Sequence, residues 1–198
     1  MLNIRNLSKS FSNTKILNDI SLSVDSGKLV ALLGKNGSGK TTFLKCVSNI
    51  MNIDSGNVDC NQSRILFLND KENIFSDLNI LDNMKCILHF YNQSLDLDVY
   101  NKYLSVLGLK EFENLKLKNL SKGNIQRNKL LIALNLSWDY LLIDEPFSNL
   151  DDGGKDIVKE IFLNLKSNNK TIIFSTHNFN QVKDICDESF MIKEGKIN

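Results

Sequence analysis

The chain has 198 residues, enough for one well-buried domain with a small appended lobe. Its 24% charged residues nearly cancel, to a formal net charge of +1, which excludes the strong basic field expected if nucleic acid were the main partner. No apolar run approaches the roughly 18 residues of a membrane span, and the opening MLNIRNLSKSF lacks the apolar core of a secretion signal, so the chain reads as cytoplasmic, with any membrane link supplied by a partner.

In chain order, Leu2 to Asn6 and Ile16 to Val24 alternate in polarity and predict strands with one face on a core. Lys28 to Leu33 (KLVALL) is a short apolar strand that runs directly into a glycine loop. Thr41 to Ile50 then carries Phe43, Leu44, Val47 and Ile50 at helical spacing, and Arg64 to Leu68 is another short strand. From Asn79 to about Leu117 the pattern is helical, in two or three amphipathic segments, with His89 read as packing inside the first. Ser121 caps a further helix through Leu130, Leu131 and Leu134, with Gln126 and Arg127 on its polar side. Tyr140 to Ile143, Thr171 to Phe174 and Ser189 to Ile192 are compact apolar strands, and Asp151 to Lys166 repeats Ile157, Ile161 and Leu165 as a helix with one buried stripe. Strand–helix–strand alternation at both ends predicts an α/β fold with a parallel-sheet core, and the helical middle reads as an inserted lobe. Cys46, Cys60, Cys86 and Cys186 are scattered, without a CxxC pair or clustered histidines, and read as idle thiols of a reducing compartment. Asparagine is unusually common, which in so apolar a chain reflects the base composition of the gene rather than disorder.

Three stretches carry chemistry. Gly34-Lys35-Asn36-Gly37-Ser38-Gly39-Lys40-Thr41-Thr42 fits G-x-x-x-x-G-K-[ST] in full, placed between an apolar strand and a helix. Glycines there let backbone N–H groups turn around phosphate oxygens, and the following helix aims its positive dipole end at them. Lys40 is expected to bridge the β- and γ-phosphates, the Thr41 hydroxyl to ligate Mg²⁺, and Thr42 to add a phosphate contact. The second stretch, Tyr140-Leu141-Leu142-Ile143-Asp144-Glu145-Pro146, ends an apolar strand in two acids. Asp144 suits the Mg²⁺ shell and Glu145 the polarising of an attacking water, the plain alternative being a surface Asp-Glu turn. In the third, His177 follows the apolar strand TIIFS and either reaches the γ-phosphate or serves packing. Phe11, well before the phosphate loop, stacks on adenine or belongs to the core.

The phosphate loop, the helix start Leu120-Ser121-Lys122-Gly123, the acidic strand end and the strand-end histidine, in this order and spacing, resemble the ATP-binding cassette (ABC) family. The resemblance covers essentially the whole chain and extends to Ser148-Asn149-Leu150-Asp151, similar to the family's D-loop. It implies a single ABC ATPase domain over 1–198, with a RecA-like core at about 1–70 and 138–198, an antiparallel β region, and a helical subdomain at about 71–137. It implies ATP and Mg²⁺ as cofactors, Phe11 as the adenine-stacking aromatic, and a head-to-tail dimer. In that dimer each ATP is pinned between one subunit's phosphate loop and Ser121 and Gly123 of the other. The helical lobe then conveys closure and reopening to a membrane-spanning permease on a separate chain, at the inner face of the cell membrane.

Three departures from the family pattern stand out: Lys122 replaces a second glycine, Asn124 replaces a glutamine, and Asp70 (Asn69 if the register slips by one) stands where the Q-loop glutamine is expected, the aspartate still able to ligate Mg²⁺. The serine–lysine–glycine order looks like that of subunits paired with ABC-2-type exporters, and the compact layout is similar to haem-exporter ATPase subunits. Export is therefore the expectation, homo- or heterodimeric. The alternative is an ABC ATPase that moves no solute, such as an iron–sulfur assembly ATPase.

Overall fold

The computed structural model describes residues 1–69 and 75–197. Asp70, expected as a metal ligand, lies outside the described residues. The chain divides into two compact units, one of Met1–Phe67, Trp138–Pro146 and Lys159–Asn198, the other of Leu68–Ser137 and Phe147–Val158.

In the first unit, β1 (Leu2–Phe11) pairs antiparallel with β2 (Thr14–Val24) and with β4 (Ser55–Asp59), giving the order β2-β1-β4. Both long strands extend past the alternating runs that announce them. Asn6 and Asp19, at φ 52° and 58°, take up the left-handed kinks where the β1–β2 register shifts, and the Asn6 amide donates to Asp19 Oδ1 at 2.6 Å. β4 is absent from the sequence reading because SGNVD has neither alternation nor strand propensity and lies mostly exposed; its pairing with β1 alone makes it a strand.

The main sheet has the order β5-β6-β7-β3-β8-β9, with β3 at Leu29–Leu33, β5 at Ile65–Leu68, β6 at Tyr140–Ile143, β7 at Thr171–Thr176, β8 at Glu188–Lys193 and β9 at Lys196–Ile197. β3, β6 and β7 are buried throughout, which is why they read as continuous apolar runs rather than alternating ones. Parallel pairing sets Leu33 opposite Thr176 and Ile143 opposite Phe174. The loops that follow these three strands therefore leave from one sheet edge, the edge where open α/β sheets take their ligands. Helix α1 (Lys40–Val47) follows β3 through the glycine loop and packs Phe43, Leu44, Cys46 and Val47 into a core shared with Leu2, Leu7, Leu17, Leu32 and Leu142. It stops short of Ile50 because Asn49 turns left-handed at φ 59° and the Ile50 and Met51 N–H groups fold back onto Lys45 O, which leaves Ile50 exposed. Burial pushes the Cys46 thiol up to about 11 and the Cys186 thiol up to about 12, in keeping with idle thiols.

The second unit holds α2 (Ile80–Phe90), α3 (Leu97–Val106) and α4 (Lys122–Asn135), capped by Asn79, Asp96 and Ser121, each accepting a first-turn backbone N–H. Ile80, Met84, Leu88, Tyr100, Leu104 and Leu117 are buried. Two sequence expectations are corrected. His89 lies on the exposed face of α2, since the buried stripe runs through Met84, Ile87 and Leu88 and leaves position 89 outward. Gln126 is buried rather than on a polar face. Lys129 is buried one turn later and its Nζ donates to Gln126 Oε1 at 3.0 Å, so the two polar groups bond to each other inside the unit. A further helix, α5 (Asp152–Ser167), follows β6, and the strand β7 follows α5.

Candidate functional site

The glycine loop after β3 is built by backbone geometry that side chains would spoil. Gly34 sits at φ 153°, where a Cβ would lie 2.4 Å from Ser38 Oγ and 2.7 Å from the Ile192 carbonyl. Gly39, at φ 104°, is the N-cap of α1 and has no side chain to satisfy the first-turn N–H groups, which stay available to a ligand. Lys40 is almost fully buried, and its Nζ donates to the carbonyls of Gly34 (2.8 Å) and Lys35 (3.3 Å), 3.7 Å from Glu145 Oε1. A cavity of about 300 Å³ opens over this loop, lined by Phe11, Ile16, Asn36, Gly37, Gly39, Lys40, Thr41, Thr42, Asp144 and Glu145. The structure thus brings together residues from the ends of β1, β3 and β6. Phe11 is 45% exposed, which removes the core reading, and its ring borders the cavity with Lys9 Nζ 5.8 Å from the centroid. Asp54 steadies that strand end. It accepts from Lys9 Nζ at 2.8 Å and from the Ser10 N–H at 2.6 Å, and these bonds, the lysine's first, hold its carboxyl below the usual range.

The two acids diverge from one strand end. Thr41 Oγ1 donates to Asp144 Oδ2 at 2.6 Å. Glu145 stands at φ 47°, in the left-handed region, and its carboxylate lies 3.2 Å from His177 Nδ1. A second cavity borders the other side of the loop, lined in part by Gly34, Lys35, Ser38 and His177. Ser38 Oγ is buried there without a hydrogen-bond partner among the described residues.

Ser121 and Gly123 belong to the second unit. Ser121 Oγ accepts from Asn124 N–H at 3.2 Å as the cap of α4, which leaves its own proton free to be donated. A Cβ on Gly123 would lie 2.8 Å from the Asn149 carbonyl, so the glycine is required by the close passage of the Asn149 backbone. Arg127, next on α4, donates to Asp151 Oδ1 at 3.2 Å and to the Leu107 carbonyl at 3.3 Å.

Sequence reasoning missed two residues of the site. Ile16 lines the cavity from β2, with no signal beyond strand alternation. Ser175, buried in β7, donates to Asp144 Oδ1 and accepts the Glu145 N–H. A lone serine inside the apolar run TIIFS was its only mark.

The donor set fits a nucleotide and a hard cation. The loop offers glycine N–H groups around a cavity, an orphaned serine hydroxyl and a buried lysine, and the Thr41–Asp144 pair is all oxygen. The Thr41 hydroxyl and Asp144 carboxylate suit Mg²⁺, a cation held by one or two carboxylates plus phosphate oxygens.

Comparison with known proteins points to one family. The model of the family described as ABC transporter matches residues 17–148. The phosphonates import ATP-binding protein of Fusobacterium nucleatum is 31% identical over 224 residues, covering 100% of this chain and 90% of that protein. The lantibiotic transport ATP-binding protein of Streptococcus pyogenes is 31% identical over 207 residues, covering 100% of this chain and 89% of that one. Among solved structures, a dimeric bacterial ABC transporter cassette superposes with a TM-score of 0.90 at 22% identity, over all of this chain and 97% of the other, which establishes the shared fold.

Proposed function

We propose, from the premise that this chain belongs to the ABC transporter family and is an ATP-binding ATPase subunit of it, that it drives a separate membrane-spanning permease in the export direction. The observation that carries the hydrolytic part is the placing of Glu145, which meets His177 at 3.2 Å and Lys40 at 3.7 Å on the rim of a cavity that also holds Phe11, Thr41 and Asp144. On this reading one cassette spans the chain, with a RecA-like core at about 1–70 and 138–198 and a helical subdomain at about 71–137.

Each residue's part follows from its setting. Phe11 stacks on adenine. The N–H groups of Gly34, Asn36, Gly37, Ser38 and Gly39 surround the phosphates, with Thr42 adding a hydroxyl. Lys40 exchanges the loop carbonyls for β- and γ-phosphate oxygens, a stronger charge-assisted contact. Thr41 and Asp144 hold Mg²⁺, with Asp70 proposed alongside, and the bound ion neutralises charge gathering on the phosphates. Glu145 orients the attacking water and draws its proton, and His177 holds the Glu145 carboxylate in place. Ser121 and Gly123 complete the site across a homo- or heterodimer, contacting nucleotide held by the other subunit.

Export is favoured by Lys122, whose serine–lysine–glycine setting is the one resembling ABC-2-type partners. Among the described residues no helix is long and apolar enough to cross a membrane, and the proposal places the chain at the inner face of the cell membrane through its permease. Affinity capture of the tagged chain from detergent-solubilised membranes tests this. A stoichiometric integral membrane partner is expected, and recovery with non-membrane assembly proteins alone would remove the transporter reading. Direction is read in inside-out vesicles holding the pair, challenged with a panel of peptides and amphipathic drugs. Stimulation of hydrolysis from the face bearing this chain is expected, and stimulation from the lumen alone would mean import.

A further inference from the structure

We infer that Ser175 is a positioning residue that sets both acids of the site through one hydroxyl. The inference rests on the reading of Asp144 and Glu145 given above. Ser175 lies in β7 and is completely buried. Its hydroxyl has one proton, donated to Asp144 Oδ1, and it accepts the Glu145 N–H at 2.9 Å. Both capacities are used, and with the side chain shut from solvent no water can replace either bond.

The consequences differ for the two acids. Asp144 is gripped at both oxygens, by Ser175 on Oδ1 and by Thr41 on Oδ2 at 2.6 Å, so the plane of its carboxylate is settled by two hydroxyls. Glu145 is held through its backbone. A non-glycine residue at φ 47° persists only where the surroundings over-determine it, and the Ser175 bond ties down that residue's N–H. The turn so held aims the Glu145 carboxylate back towards His177 and Lys40. The pairing of β6 with β7 places Ile143 opposite Phe174, so the residue after each strand partner brings Ser175 beside the acids. On strand propensity a valine would suit position 175 well. It would remove the bond to Asp144 Oδ1, leaving the Thr41 bond on Oδ2, and would take away the acceptor of the Glu145 N–H.

The test compares wild type with Ser175→Ala, Ser175→Cys, Ser175→Thr and Glu145→Gln. Four quantities are measured: kcat, KM for ATP at saturating Mg²⁺, half-saturation by Mg²⁺, and binding of a fluorescent ATP analogue in EDTA. For Ser175→Ala, kcat should fall and Mg²⁺ half-saturation should rise, each about tenfold, from loss of one hydrogen bond to a charged group. KM and the metal-free affinity should stay within about twofold, since the phosphate loop is untouched. Ser175→Cys, matched in shape but a poor donor, should behave like alanine, and Ser175→Thr, which keeps the hydroxyl, should recover most of both losses. Unchanged kcat and Mg²⁺ response in Ser175→Ala, or threonine no better than alanine, would overturn the inference. Full turnover by Glu145→Gln would instead overturn the reading on which it rests. An inactive Glu145→Gln beside an unaffected Ser175→Ala would sink the Ser175 inference alone.

Discussion

On the proposed reading Glu145 is the residue on which the chemistry turns, and it stands in a backbone conformation that its own side chain disfavours. Such strain is characteristic of groups that must be aimed. Glu145→Gln keeps the shape and removes the proton acceptor, so kcat should drop by about 10²–10⁴-fold with ATP affinity retained, measured by phosphate release and by nucleotide binding. Lys40 acts earlier. Its ammonium, parked on the Gly34 and Lys35 carbonyls, is the one buried charge of the loop, and Lys40→Ala should abolish ATP binding in a fluorescence titration. Unchanged affinity would refute the phosphate-loop assignment. The loop, the acid pair and His177 were legible in the sequence because each is a local pattern at a strand end. Ser175 and Ile16 were not, because their part depends on neighbours across the sheet, 31 residues away in the case of the Ser175–Asp144 bond.

At the scale of elements, burial decided what could be read. The strands β3, β6 and β7 are enclosed on both faces and announce themselves as apolar runs, whereas β4 exists only through its pairing with β1. Helix α4 was legible by its serine cap, but its polar stripe was misassigned because Gln126 and Lys129 are buried and bonded to each other, a pairing that amphipathic periodicity does not encode. Caps carry measurable weight here. Asp96 accepts the N–H groups of Asp98 (3.0 Å) and Val99 (3.1 Å) at the start of α3, and Asp96→Ala should cost about 1 kcal/mol in urea unfolding. Stability unchanged within about 0.3 kcal/mol would show that the cap is not satisfied this way in solution.

Over the whole molecule, asparagine has a structural use that base composition does not explain. Asn6, Asn49, Asn61, Asn92, Asn149 and Asn169 all occupy left-handed conformations, where asparagine is tolerated better than most residues. Acid sensitivity is also distributed over the molecule. Hydrogen bonds from Lys9, Lys118 and Lys159 hold Asp54, Asp77 and Asp184 below their ordinary value of 3.8. A depressed folded-state pKa contributes stability above the unfolded value and loses it as pH falls through the folded one. The thermal midpoint should therefore stay level from about pH 7 to 5 and fall below about pH 4, and a midpoint that rose on acidification would contradict these pairings.

On the proposed reading the ATPase site is completed by a second subunit through Ser121 and Gly123. The most direct test is the molar mass of the Glu145→Gln chain, by light scattering on a sizing column, with and without ATP and Mg²⁺. A monomer without nucleotide and a dimer with it are expected; a chain that stays monomeric at saturating ATP would rule out completion of the site by a second copy of this chain.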